Sequence, residues 1–410
     1  MLTIHQARKP DTPRHGRIGL AIAGGGPVGA IYELGALRAL EESVEGLRLH
    51  DLDVYVGISA GGVIAASLAN RIPAAEMCRI FMGHPGAEFA LEPDKLLKPA
   101  YREYLNRAAR IPGILLDALT SMARHPMDAS VSRLMGALGQ ALPTGIFEND
   151  ALHDFLRSAF ESSGRTNDFR ELRRRLIIVA VELDNGAAVR FGAPDRDHVP
   201  ISRAVQASAA LPGLYPPVEI DGQYYVDGAL RRTLNASAAL DQGVDLLLAI
   251  NPLVPFAAGQ DPAAPAVPVR RLIRGGLPLV LSQTFRALIQ SRMNIGFRNY
   301  RESHPGTDFV LVEPDQGDEE IFFTNIFSFA SRTALCDHAY RVTKDNLRRR
   351  ADEIESVLAR HGMHLDRDVL EQRDKSLADS LGEAFHGHSP VSRQLGQALE
   401  DLECALRKRA

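Results

Sequence analysis

The chain has 410 residues, 45% of them hydrophobic, enough to bury one large core and carry an appended helical region. A net charge of −4 offers no field for nucleic acid, and Cys78, Cys336 and Cys404 are too few and too far apart in sequence for a disulfide framework or a thiolate metal site. No apolar run is long enough to span a bilayer, and the first residues lack the apolar core of a signal peptide, so the cytoplasm is the expected compartment.

Residues 1–15 read as an N-terminal tail. Residues 18–23 then form an apolar strand that runs into Gly24-Gly25-Gly26 and a helix. The helix follows from Val28, Ile31, Leu34, Leu37 and Leu40, apolar at every third position, with Glu33, Arg38, Glu41 and Glu42 between them as the polar side. Consecutive glycines before a helix present free N–H groups beside the positive end of its dipole, which suits an anion: a phosphate or a developing oxyanion. Gly24, Gly26 and Gly29 also satisfy the dinucleotide pattern G-x-G-x-x-G, which needs a ribose-binding acid at the end of the second strand. Residues 54–58 are that strand, and they end in Ser59, while Asp51 and Asp53 precede them as turn residues.

Gly57-Ile58-Ser59-Ala60-Gly61 has the G-x-S-x-G spacing of a nucleophile elbow, a sharp strand-to-helix turn that lifts a serine hydroxyl out of a sheet. Strand and helix alternation stops between residues 83 and 145, where Pro85, Pro93, Pro99, Pro112, Pro126 and Pro143 punctuate a helical insertion that reads as a cap over the serine or as scaffold. Strands resume at 176–182, 187–191 and 245–251, with 309–312 a late addition, and their continuous apolar runs indicate burial on both faces. Asp221-Gly222 joins two short β-prone runs at the spacing of a type I′ hairpin, whose returning strand delivers Asp227 followed by Gly228. The expected fold is α/β, a three-layer α/β/α sandwich with a mostly parallel central sheet, both turns at carboxyl ends of strands. A stretch rich in Ala, Pro and Gly at 252–268 marks the end of the first region, 16–254, and the remainder, 255–410, is mainly helical.

The three pieces in this order resemble the patatin-like phospholipases, which carry a GGGxxG loop, a G-x-S-x-G elbow and a D-G-[GA] motif. The resemblance covers residues 16–254 and includes the run from Gln206 to Pro217. It implies Ser59 as nucleophile and Asp227 as a base acting directly on it. The amides of Gly24, Gly25 and Gly26 would form the oxyanion hole, and Gly29, Gly57, Gly61 and Gly228 would be structural members of the motifs. The implied substrate is a lipid ester, cleaved with no metal or cofactor. Two departures bear on substrate preference: Val28 stands where a basic residue is common, and residues 230–235 replace a common Asn and Pro. The alternative is a non-catalytic module that binds an anionic lipid or a nucleotide through the glycine loop. A Ser-acid-His triad is the rival mechanism, with His338 the histidine in an apolar helical context.

Arg270, Arg271, Arg274, Arg286, Arg292, Arg298 and Arg301 occur with no acidic residue among them and with apolar residues interleaved, a composition suited to peripheral contact with an anionic membrane. Arg286, Arg292 and Arg298, six apart, rotate around a helix and do not form one stripe, and the alternative reading is arginines that cap a packed helix.

Overall fold

The computed structural model describes residues 1–7, 16–84, 87–89, 98–101, 104–105, 109, 111–113, 120, 143–162, 164–231, 234–256, 273–323 and 329–382. Most of the 83–145 insertion, much of the 252–268 stretch, Arg270, Arg271, Cys404 and the chain beyond 382 lie outside them.

Eleven strands are present among the described residues: β1 Leu2–His5, β2 Ile18–Ile22, β3 Val44–Glu45, β4 Val54–Ile58, β5 Arg175–Glu182, β6 Ala188–Phe191, β7 Val218–Ile220, β8 Gln223–Asp227, β9 Leu246–Ile250, β10 Asp308–Val312 and β11 His364–Leu365. Nine of them make one sheet in the order β1-β10-β9-β2-β4-β5-β8-β7, with β6 also pairing β5. The strands β10, β9, β2, β4 and β5 run parallel, while β1, β6, β7 and β8 are antiparallel additions at the flanks. In register, Ile22 pairs with Gly57 and Ile250, and Ile58 with Val179, so β2, β4 and β9 end at one edge.

Helices cover both faces. The first two are α1, Gly26–Ser43, and α2, Ala60–Ala69, followed by α3, Ala74–Met82, and α4, Asp150–Phe160. Next come α5, Ile201–Ser208, α6, Ala236–Leu240, and α7, Gly276–Ser303. The α8 helix is Glu319–Phe323 and α9 is Phe329–Arg349. Side chains of the strands alternate between two apolar layers, as the period of a strand requires. Leu20, Ile22, Leu246, Leu248 and Ile250 face α1, α2, α3 and α9, and Ala21, Leu247 and Ala249 face α6 and the second half of α7. The architecture is the expected three-layer sandwich.

Three expectations are corrected. Leu2–His5, read as tail, pairs along β10 from Leu2 opposite Val312 to His5 opposite Phe309. Leu2 and Ile4 join the core, and the strand satisfies backbone groups that β10 would otherwise leave open at its edge. Glu33, placed on a polar side of α1, is fully buried because α1 lies between the sheet and α9. The two helices pack closely: a Cβ at Gly35 would collide with the Cys336 carbonyl. Neither Glu33 carboxylate oxygen has a hydrogen-bond partner, and burial raises its pKa well above the usual range, which favours the protonated form. Cys78 on α3 and Cys336 on α9, remote in sequence, are both buried free cysteines; the Cys78 thiol donates to the Leu34 carbonyl, and the Cys336 thiol is hydrogen-bonded to Cys78. The third correction concerns Arg286, included in the expected membrane contact, which faces inward from α7 and is buried. Asp51 and Asp53 do form turn structure, both paired with Arg174.

Candidate active site

Every side chain of β4 is buried, and the strand ends at Ser59, whose φ of 52° and ψ of −126° turn the chain into α2. A non-glycine residue there carries strain of about 1–3 kcal/mol, which its surroundings must hold. The Ser59 amide donates to Ser208 Oγ at 2.8 Å, and that hydroxyl donates to the Val179 carbonyl at 2.6 Å. A Cβ on Gly61 would collide with the carbonyl oxygens of Ala23 and Ile22, so the first turn of α2 rests directly on the end of β2. Gly57 faces Gly62 and Ala65 across the same turn. Serine is a favoured N-cap residue, yet Ser59 makes no side-chain capping bond. Its side chain is hydrogen-bonded instead to Asp227.

The glycine loop lies against this turn. Gly24 approaches Ser59 Cβ and Ala229 Cβ; Gly25 is the N-cap of α1, and Gly26, at φ 60°, is its first residue. Gly29 donates to the Gly25 carbonyl at 3.0 Å, and both glycines abut the ring of Pro252. Pro27 falls in the first turn of α1, where a missing N–H costs the helix nothing. The early amides of a helix have no intrahelical acceptor, and here α1 and α2 both begin beside Ser59. Two helix N-termini therefore favour negative charge at this point.

Asp227 arrives on the hairpin. Asp221 and Gly222 both have positive φ, 53° and 76°, as a type I′ turn demands, and β8 returns antiparallel to β5 with Asp227 opposite Ala180. The Asp227 amide donates to the Ala210 carbonyl at 3.0 Å, and its carboxylate accepts from the Ala229 amide at 2.8 Å. Gly228 opens the following turn with its backbone against Val179. Asp227 is only 2% exposed, and burial pushes its pKa up to about 6 against the opposing hydrogen bonds from Ala229 and Ser59. The carboxylate is thus a stronger base than an ordinary aspartate, held against a serine hydroxyl beside converging amides.

The structure brings Gly24, Gly25, Gly26, Gly57, Ser59, Gly61, Asp227 and Gly228 to one sheet edge. His338 goes elsewhere: its ring nitrogens pair with Asp318 at 2.7 Å and Glu320 at 3.0 Å. Ser208 is the residue that sequence reasoning passed over. Its signal was a single serine in the small apolar run 207–210, buried and so in need of a partner. Among the described residues, no group of three His, Cys, Asp or Glu could hold a metal ion.

The family model for patatin-like phospholipases matches residues 20–240. Solved structures also align. VipD from Legionella pneumophila is 17% identical, with a TM-score of 0.30, covering 67% of this chain and 55% of that one. Full-length ExoU of Pseudomonas aeruginosa, solved with SpcU, is 16% identical, with a TM-score of 0.29 and coverage of 93% and 73%. Human GIVD cytosolic phospholipase A2, solved in complex with methyl gamma-linolenyl fluorophosphonate, is 12% identical, with a TM-score of 0.32 and coverage of 88% and 60%. The chain thus spans little more than half the length of VipD. With the family model matching more than half of its residues, and with the glycine loop, the elbow and the Asp-Gly turn all inside the matched region, the chain belongs to the patatin-like phospholipase family.

Proposed function

We propose that this chain hydrolyses carboxylic esters of lipids, phospholipids in particular, with Ser59 as nucleophile and Asp227 as base. The observation that carries this reading is the hydrogen bond between the Ser59 side chain and a buried carboxylate whose pKa is raised to about 6. Asp227 takes the hydroxyl proton as Ser59 Oγ attacks the ester carbonyl, and the tetrahedral oxyanion faces the amides of Gly24, Gly25 and Gly26. Collapse breaks the ester bond, the Asp227 proton passes to the departing alcohol, and the acyl group stays on Ser59. Water then attacks the acyl-enzyme with Asp227 again accepting a proton; the bond from the acyl carbon to Ser59 Oγ breaks, Asp227 returns the proton to that oxygen, and the fatty acid leaves. A lone carboxylate is a weak base compared with imidazole, so the oxyanion donors carry much of the rate. Loss of one such donor costs a hundredfold or more in well-studied hydrolases.

The test is covalent labelling. A fluorophosphonate should modify Ser59 alone, as read by peptide mass spectrometry, and Ser59→Ala should abolish both labelling and ester turnover while leaving the circular dichroism spectrum unchanged. Turnover retained in that variant would refute the dyad, and lipid binding without turnover in the wild type would favour the binding-module alternative.

A further inference from the structure

We propose that α7 is an interfacial helix that seats the enzyme on an anionic lipid surface beside its own active site; this rests on the lipid-ester reading above. On α7, Leu281, Phe285, Leu288 and Ile295 are 47%, 44%, 55% and 50% exposed. Their spacing of four, three and seven residues puts them on one side of the helix, a strip roughly 21 Å long at the rise of an α-helix. Exposed aliphatic and aromatic side chains in such a row form a patch of the kind that marks an interaction surface.

Charge selects the occupant. From Gly276 to Arg301 every charged residue of α7 is an arginine, and Glu302 is the first acid. Arg286 is spent inside: it is buried, stacks 4.6 Å over the Phe322 ring and donates to the carbonyls of Pro252 and Val254. Arg298, near the end of the strip, is exposed, and Arg292, in line with it, is exposed with one guanidinium nitrogen on the Leu230 carbonyl. An apolar row with cations alone beside it matches acyl chains beneath anionic headgroups.

Two contacts of the helix place the strip near the site. Arg292 donates to the Leu230 carbonyl at 3.0 Å, three residues after Asp227, and the Pro252 held by Arg286 packs its ring on Gly25 and Gly29. One helix therefore touches both the Asp227 turn and the proline that backs the glycine loop, while Leu281, Phe285, Leu288 and Ile295 along it stay exposed.

The experiment uses the full chain carrying Ser59→Ala, so that vesicles stay intact, in a sedimentation assay with vesicles of phosphatidylcholine alone or mixed with phosphatidylglycerol. Binding should favour the anionic mixture. Phe285→Ser with Leu288→Ser should lower the apparent affinity about tenfold or more, as expected for removing two large apolar side chains from an interface. Arg298→Gln should reduce only the preference for phosphatidylglycerol. With Ser59 restored, the double variant should hydrolyse a soluble nitrophenyl ester within about twofold of wild type, which shows that it is folded. Unchanged vesicle binding in the double variant, or no binding by the parent, overturns the proposal; so does a dimer in sedimentation velocity that the double variant dissolves, which would assign the strip to self-association. Because sedimentation involves no turnover, a chain that fails to label with fluorophosphonate yet binds vesicles through α7 would sink the hydrolase reading alone.

Discussion

Replacing Asp227 with asparagine should separate activity from stability in opposite directions. Burial raises this carboxyl from 3.8 to about 6. An acid with a raised folded-state pKa binds its proton more tightly in the native protein than in the unfolded chain. Its contribution is therefore fully favourable below 3.8 and is lost as pH rises through about 6. The shift of some two units corresponds to about 3 kcal/mol of native-state destabilisation at neutral pH. In Asp227→Asn the Oδ1 atom can still accept from Ala229 and the amide can donate to Ser59 Oγ, so the packing survives while the buried charge is gone. The variant should lose about a thousandfold in ester turnover, yet unfold about 1–3 kcal/mol higher than wild type at pH 8. That gap should close toward pH 4. Wild-type turnover of a nitrophenyl ester should rise with pH from about one-tenth of its plateau at pH 5 to about nine-tenths at pH 7. Denaturant melts at pH 4 and 8, with a pH–rate profile, make the assay. A rate flat between pH 5 and 7.5, or an asparagine variant less stable than wild type at pH 8, would refute the reasoning.

Three further outcomes follow from the geometry. Ser208→Ala removes the hydroxyl that accepts from the Ser59 amide and donates to Val179; kcat should fall about tenfold with KM little changed, and Ser208→Thr should recover part of it if its hydroxyl keeps both bonds. Gly61→Ala forces a methyl group into the Ala23 and Ile22 carbonyls, so the elbow must shift, and turnover should drop by at least about a hundredfold, with a lowered melting temperature. His338→Ala should leave ester turnover within about twofold, because its partners are Asp318 and Glu320; a large loss would reinstate a histidine triad.

Much of this molecule was legible from local pattern. The strands at 54–58, 176–182 and 309–312 announce themselves as apolar runs, and the Asp221-Gly222 turn by its residue chemistry, because backbone twist and positive φ leave few alternatives. What stayed hidden depended on partners remote in sequence. Leu2 and Ile4 alternate as a strand should, but four residues say little until β10 is known to offer an edge. Glu33 occupies a polar position of α1 by periodicity, and only α9, some three hundred residues later, closes that side. Cys78 meets Cys336 for the same reason. The arginines of α7 looked equivalent in composition; which of them turns inward is decided by the carbonyls of Pro252 and Val254 and the ring of Phe322.

The serine and the aspartate are not anchored alike. Ser59 continues from a strand flanked on both sides by parallel neighbours, whereas Asp227 hangs from a hairpin whose ladder to β5 comprises Ala180 with Asp227, Val181 with Val226 and Glu182 with Tyr225. So short a ladder can part in a sub-global opening that leaves the parallel core intact, at a fraction of the free energy of complete unfolding. Heat inactivation should then set in below the global transition and reverse on cooling. Amide protons of residues 223–227 should exchange with solvent well ahead of those in the parallel strands. A substitution in the hairpin can therefore displace Asp227 while the parallel strands keep their pairing.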